Sequence, residues 1–461
     1  MCSPAACRGS CRPDTAPAHI ESAVMRALVL FTRDLRAHDH PALFRASTEA
    51  DEIVPLFVLD PTLLRLSPNR ARFLMESLLD LDRTLGQLGG RLVVRRGNVV
   101  SETMALASGE QCSAVYLSAD VSAYALRREA ALEGACARLG IDFRLCPGNA
   151  VVEPATVAAT GRTGYRVFTP YFRAWTGHPR RNVLPAPPRV SVPDDLDPGP
   201  RPDPSSIRPD GLDLPPGGER AGRRRLHRFL ASELAGYSVG RNDPSAEGTS
   251  RLSPYLRFGC LSANEVAMRA ADLPGVDSFV RQLAWRDFFL QLLAQDPARS
   301  WRDLRIQHDE VNPSTPVDGA FEAWCLGRTG LPLVDASMRQ LRREGWMHTN
   351  ARMVTASFLT KRLGIPWQRG ARHFSRFLVD GEPANNAGNW RWIAGTGTDP
   401  RRARIINPVL QARRHDPAGA YVRRYVRELS DVEPPVVFTP WNDPALLRRT
   451  GYPEPIVPVA G

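Results

Sequence analysis

Between Asp380 and Asp399 the chain reads DGEPANNAGNWRWIAGTGTD, a run of carboxylates, amides, small residues and two indoles. Asp380 and Glu382 are suited to anchor cationic or hydroxyl partners. Asn385, Asn386 and Asn389 are suited to hydrogen-bond a heteroaromatic ring, and Gly388 lets a backbone approach closely. Trp390 and Trp392 add polarisable, oxidisable side chains. The mixture suits a buried redox cofactor; a polar helix-to-loop corner with two core tryptophans is the alternative. Three other segments carry similar chemistry. In SFVRQLAWRDFFLQLLA, Gln282, Trp285 and Phe289 recur at i, i+3 and i+7, so an amide and an indole share one helical face. In EGWMHTNARMVTASFLTK, Trp346, Thr349 or Asn350, and Met353 share a face likewise, and core packing alone accounts for either pattern. In EGTSRLSPYLRFG, Thr249, Ser250 and Ser253 stand just before an apolar run, where hydroxyls and backbone N–H groups can cradle a phosphate.

The elements that must position these residues follow from periodicity. Short apolar strands at 27–31, 53–59, 91–95, 114–117 and 142–145 alternate with helical stretches at 41–46, 73–88, 102–107 and 125–139, the pattern of a doubly wound parallel sheet. This predicts an α/β domain over 25–150. No GxGxxG follows the first strand, so an ordinary dinucleotide site is not indicated. Residues 178–218 are rich in Pro, Asp and Gly, and 151–218 reads as an interdomain linker. Beyond it, amphipathic segments at 219–235, 262–272, 276–294, 333–344 and 347–363 predict an all-α C-terminal domain over 219–461.

Composition bounds the rest. The 461 residues carry a net charge of +11 and a pI near 9.7, and Lys361 is the sole lysine. A basic balance points to a polyanion such as nucleic acid, although arginine-for-lysine usage with Ala, Gly and Pro richness also reads as codon bias. Eight scattered cysteines without paired zinc-ligand spacing predict a reduced, cytoplasmic protein without a metal. The first 24 residues lack the apolar run of a secretory signal or membrane span and read as a disordered extension, or as the product of a misassigned start, since Met25 opens MRALVLFTRDLRAHDHPAL.

FTRDLRAHDHPAL, GTSRLSPYLRFG, RQLAWRDFF, GLPLVDASMRQLRREGWMH, RMVTASFL and the Asp380–Asp399 run occur in the order found in photolyases and cryptochromes. From Met25 onward the chain resembles the class I cyclobutane pyrimidine dimer photolyases. The resemblance implies an N-terminal antenna domain, a helical domain holding FAD folded into a U, and blue-light repair of UV-damaged DNA by a monomeric enzyme that passes one electron from reduced FAD to a dimer flipped out of the duplex. It implies that Tyr237 and the run Thr249, Ser250, Arg251, Leu252 and Ser253 hold the FAD phosphates. Asp380, Gly381 and Glu382 then lie near the flavin and ribityl chain, with Arg352 pairing Asp380, and Asn386 lies beside flavin N5. Trp285 stacks on the dimer with Met353 against it and Trp392 on the opposite wall, Gln282 donates to a thymine carbonyl, and Arg241 and Gln411 contact DNA. Trp390 and Trp367 match the inner two electron relays. Asp120, within the stretch Ala119–Tyr124, is implied as a partner of a second chromophore, 8-hydroxy-5-deazaflavin in preference to methenyltetrahydrofolate.

Departures from the family pattern matter as much. Where many relatives have a glutamate against the dimer, Gln282 stands. The family's Met-His-Asn-Arg reads Met347-His348-Thr349-Asn350, which replaces a lesion-contacting amide by a hydroxyl and removes a phosphate-facing arginine. The outer relay tryptophan is missing: Val311 or Ser314 takes its place, leaving Trp301, Trp324 or a cellular reductant to complete electron supply, and slow photoreduction is the expectation. The two histidines that (6-4) photolyases need at positions 349 and 353 are absent. A dimer-repair enzyme is therefore the leading reading. A light-sensing flavoprotein with weak or lost repair is the alternative, and a DNA-binding helical protein without flavin is a third.

Overall fold

The computed structural model describes residues 24–157, 164–304, 317–398 and 405–458. All of the 1–24 extension except Val24 lies outside them, as do Val311 and Ser314. Five parallel strands, β1 (Arg26–Phe31), β2 (Glu52–Leu59), β3 (Val93–Arg96), β4 (Ala114–Ser118) and β5 (Asp142–Cys146), form one sheet in the order β3-β2-β1-β4-β5. The apolar runs of β1, β2 and β4 are buried on both faces because helices cover both, as central parallel strands require, whereas the edge strand β5 is largely exposed. Leu28 of β1 sits between Val54 of β2 and Val115 of β4 in register. The strand order reverses between β1 and β4, and in such sheets the crevice at the carboxyl ends of those two strands is where ligands bind. Here β1 runs into Arg33 and β4 into Asp120, and the two side chains meet at 3.0 Å.

From Glu219 onward the described residues are helical, with no strand among them. The long Val276–Gln295 helix packs against the Pro383–Ala394 helix at a point set by Gly388, where an added Cβ would lie 2.2 Å from Cδ1 of Phe289. A second core gathers Trp324, Trp367, Phe374 and Trp390 beneath the Pro383–Ala394 helix. No helix among the described residues is long and apolar enough to cross a membrane, and the five described cysteines are free thiols.

The 151–218 stretch is more than a linker. It contains a helix, Phe168–Gly177, that buries Phe168, Tyr171 and Trp175, three aromatic residues at i, i+3 and i+7. Pro170 hides this periodicity in the sequence, but a proline in the first turn lacks only an N–H that has no intrahelical partner anyway. The segment wraps the Val276–Gln295 helix. Asp287 Oδ2 accepts from the backbone N–H groups of Val151 (2.9 Å) and Val152 (3.1 Å) and from Trp175 Nε1 (3.0 Å). The Gln291 amide accepts from Tyr165 N at 2.7 Å and donates to Tyr165 O at 2.9 Å.

Two predictions follow from this packing. Gly388→Ala forces the two helices apart and should lower unfolding stability by about 1–3 kcal/mol, read from the urea midpoint; an unchanged midpoint would contradict the close approach. His348 and His373 are buried, which lowers both to about 4, with nearby arginines adding to the effect. Between that value and their ordinary 6.5 the unfolded chain binds more protons, so their contribution is whole above pH 6.5 and is lost as pH falls towards 4. Each ring should impose a slope of up to about 1.4 kcal/mol per pH unit in that window, and His373→Phe, placed among Trp324, Phe321 and Phe377, should flatten the measured slope.

Candidate functional site

A cavity of about 410 Å³ opens between the Val276–Gln295, Thr349–Ser357 and Pro383–Ala394 helices and the loop before Ser253. Most residues singled out from the sequence line it: Tyr237, Arg241, Thr249, Ser250, Arg251 and Ser253 at one end, Gln282 and Trp285 along one wall, and Thr349, Asn350, Arg352 and Met353 along another. Asp380, Glu382 and Trp392 complete it. Seven of the expected residues do not line it, among them Trp390 and Trp367, which lie in the core beneath. Leu252 is buried in the core, Gly381 accepts from Arg257 Nε through its carbonyl at 3.0 Å, and Asp120, Asn386 and Gln411 lie elsewhere.

The hydroxyl-rich loop lines the cavity with Thr249, Ser250, Arg251 and Ser253, and Ser253 Oγ also accepts from Trp346 Nε1 at 3.3 Å. Arg251 adopts a left-handed φ of 53°, with its guanidinium 3.7 Å above the Trp346 ring and paired with Glu344 at 2.9 Å. The Ser253–Phe258 helix that follows has no side-chain cap, so Thr249, Ser250 and Ser253 are not tied up as helix stops. Arg225 fixes the loop from behind, donating to the carbonyls of Ser250 and Thr249, each at 2.8 Å.

At the far end, Arg352 pairs with Asp380 Oδ2 at 2.7 Å as expected, and its Nε donates to Met347 O at 2.8 Å. The other oxygen, Asp380 Oδ1, is buried without a hydrogen-bond partner among the described residues, and Glu382 Oε1 has only the ion-pair contact to Arg33. Glu382 caps the Pro383–Ala394 helix, its Oε2 accepting from Asn385 N and Nδ2 at 2.8 Å each. Burial pushes its carboxyl up, but Arg33, 3.4 Å from Oε1, and the Asn385 N–H outweigh this and hold it below the usual range. Buried polar atoms without partners are rare and mark places where a ligand atom fits. Two acceptors facing one cavity suit the hydroxyls and ring N–H groups of a flavin nucleotide.

The Pro383–Ala394 helix presents a different face than expected. Glu382, Asn385, Asn389 and Trp392, spaced by three and four residues, line the cavity, whereas Asn386 and Trp390 turn towards the Trp367–Phe377 helix. Asn386 Nδ2 donates to Ala371 O and Ser375 Oγ at 3.0 Å each. A carbonyl only accepts, so the amide orientation is unambiguous and Asn386 Oδ1 is the atom left for another partner. Asn385 and Asn389 each commit one amide N–H, to Glu382 Oε2 and to Asn385 O.

Arginines that carried no mark in the sequence complete the wall. Arg257 and Arg286 line the cavity from half-buried positions. Burial and the neighbouring Arg33 and Arg70 guanidinium groups lower Arg257 to about 9. Burial likewise lowers Arg70 to about 10, against the pull of Asp380. The concentration of cations suits an anion.

Beneath the cavity, Trp390 packs against Phe374 and Trp324, their ring centroids 5.0 and 6.2 Å away, and against Gly370, one turn along the helix that starts at Trp367. Trp301 lies parallel to Trp367, with centroids 6.2 Å apart and planes within 5°, and is 38% exposed. Trp324, the other substitute considered for the missing relay, is fully buried and does not reach solvent. Trp367 Nε1 donates to Asp303 Oδ1 at 2.6 Å.

Comparison with known proteins accords with this geometry. Residues 27–191 match the family model for DNA photolyase, and residues 279–461 match the FAD binding domain of DNA photolyase. The chain is 46% identical to a deoxyribodipyrimidine photo-lyase of Streptomyces griseus over 94% of its own length and 96% of that protein's. Among solved structures it resembles a bacterial class III photolyase from Agrobacterium tumefaciens, with a TM-score of 0.88 at 30% identity over 96% of each chain. A Synechocystis cryptochrome gives a TM-score of 0.85 at 28% identity over 95% of this chain and 97% of that one. With both halves matched by family models and a relative this similar along almost its whole length, the chain belongs to the DNA photolyase family.

Proposed function

We propose that this protein binds FAD in the cavity and uses blue light to split cyclobutane pyrimidine dimers in DNA. The observation that carries the reading is a single cavity lined at once by flavin-type acceptors, Asp380 and Glu382, and by aromatic and sulfur walls, Trp285, Trp392 and Met353, against which a flipped dimer can stack. FAD bound there supplies one electron on excitation and takes it back once the cyclobutane ring has opened.

The chain's own groups set the conditions for this. Thr249, Ser250 and Ser253 offer hydroxyls to the phosphates, with Arg241 and Arg251 neutralising charge. Asp380 Oδ1 and Glu382 Oε1 accept from ribityl hydroxyls or a ring N–H. Asn386 commits both amide N–H groups, to Ala371 O and Ser375 Oγ, so only its oxygen is left for another partner. Asn385 and Asn389, which line the cavity, each keep one N–H and the side-chain oxygen and so can meet the ring as donor or as acceptor. The half-buried Arg257 and Arg286 guanidinium groups favour the negative charge of the reduced flavin. Gln282 donates to the lesion without titrating. Thr349 and Asn350 leave DNA binding to other basic groups, since Asn350 Nδ2 is turned to Asn242 O at 3.1 Å.

Trp390, Trp367 and Trp301 form the route by which electrons reach the flavin from outside, with Asp303 positioned to take the Nε1 proton of an oxidised Trp367. This revises the expectation of slow photoreduction, because Trp301 supplies a surface terminus from a different place in the sequence. A second chromophore of the deazaflavin type near Ala119–Tyr124 stays part of the proposal on the resemblance alone. Asp120 is already engaged, by Arg33 and by the N–H groups of Val121 and Ser122. Free thiols accord with a monomer working in a reducing cytoplasm.

Two experiments test the reading. The purified protein, reduced and illuminated with blue light, should restore an oligonucleotide containing one thymine dimer; binding of that oligonucleotide without restoration would favour the photoreceptor reading instead. Trp301→Phe should slow the loss of oxidised-flavin absorbance under blue light with a mild donor, leaving repair by chemically reduced enzyme intact. A wild-type rate in that variant would remove Trp301 from the route.

A further inference from the structure

Phe168 lies in the stretch that reads as linker, yet its ring is parallel to the indole of Trp285, with centroids 3.7 Å apart and planes within 5°. Aromatic pairs left to themselves prefer offset or edge-on contacts with centroids about 4.5–7 Å apart. So close an overlap therefore needs an external hold. The collar described above provides one: hydrogen bonds from Val151, Val152 and Trp175 to Asp287, and the two between Tyr165 and Gln291, fix the Phe168–Gly177 helix on the helix that carries Trp285. Phe168 is itself braced by the ring of Phe172, with centroids 5.6 Å apart and planes within 18°, and by the Arg281 guanidinium at 4.9 Å.

We infer that Phe168 is a positioning residue for the lesion: it covers one face of the Trp285 indole, fixes its plane, and leaves the cavity-lining side as the only stacking surface. An indole held this way cannot swing about its side-chain torsions without breaking the stack, so less conformational freedom is lost when a flipped dimer settles on it. The benefit falls on the flipped lesion alone, because an undamaged duplex keeps its bases stacked and does not reach Trp285. The inference rests on the proposed role of Trp285 against the dimer.

The test is dark binding by the FAD-loaded protein of two oligonucleotides that differ only in one thymine dimer. Phe168→Leu keeps the bulk and removes the flat ring. It should weaken binding of the dimer oligonucleotide about three- to tenfold, the range expected for one aromatic pair, while binding of undamaged DNA and flavin content stay at wild-type levels. Phe168→Tyr keeps the ring and should bind both as the wild type does. Equal weakening for both oligonucleotides, loss of flavin, or an equally impaired Phe168→Tyr would make Phe168 a packing residue and overturn the inference. Trp285→Ala separates the two claims: if it weakens dimer binding while Phe168→Leu does not, only the positioning role fails. If Trp285→Ala has no effect, the stacking role assigned to Trp285 fails and the positioning role falls with it.

Discussion

A half-buried cation at the end of β1 ties the two halves of the molecule together at the cavity. Arg33 leaves the end of β1 at the point where the strand order reverses, meets Asp120 from the end of β4, and reaches across to Glu382 in the helical domain. A guanidinium taken out of water is tolerable only with carboxylates at hand, and removing one partner of such a pair typically costs about 3–5 kcal/mol because it strands the other charge. At the crevice of the doubly wound sheet this contact ties the sheet to the helical domain. Through Glu382, which also caps the Pro383–Ala394 helix, the position of the sheet domain bears directly on the acceptors that face the cavity.

The Val276–Gln295 helix shows how much one element can carry. One side brings Gln282, Trp285 and Phe289 to the cavity, while Asp287 and Gln291 grip the collar. Close approach at Gly388 then sets how far this helix stands from the one bearing Asn385, Asn389 and Trp392. The width of the cavity is thus fixed by a missing side chain, and its floor by aromatic packing around Trp390.

Much of this was legible in the sequence. The five strands followed from short apolar runs between turn residues, and the Asp380–Arg352 pair and the shared wall of Gln282 with Trp285 followed from motif and helical spacing. What was not legible depends on tertiary placement. Arg33, Arg257 and Arg286 are three among 60 basic residues, and nothing local marks them as half-buried. Asn385, Asn386 and Asn389 lie within five positions, so a rotation of about 100° per residue decides which of them faces the cavity, and only packing against the Trp367–Phe377 helix selects. Trp301 is distant in sequence from Trp367 and is brought beside it only by the fold, its ring parallel to that of Trp367. The Phe168–Gly177 helix was hidden by a proline that its first turn accommodates.

The grip on Asp287 has a consequence for how such a protein can change. Val151 and Val152 hold the carboxylate through main-chain N–H groups while their side chains are buried in the core, so proline is barred at both positions and an apolar side chain is required. The acceptor is the less replaceable partner: without the Asp287 carboxylate, two buried N–H groups and the Trp175 indole would lose their partner at once. Drift at these positions is therefore confined to exchanges among apolar residues, and only while Asp287 stays.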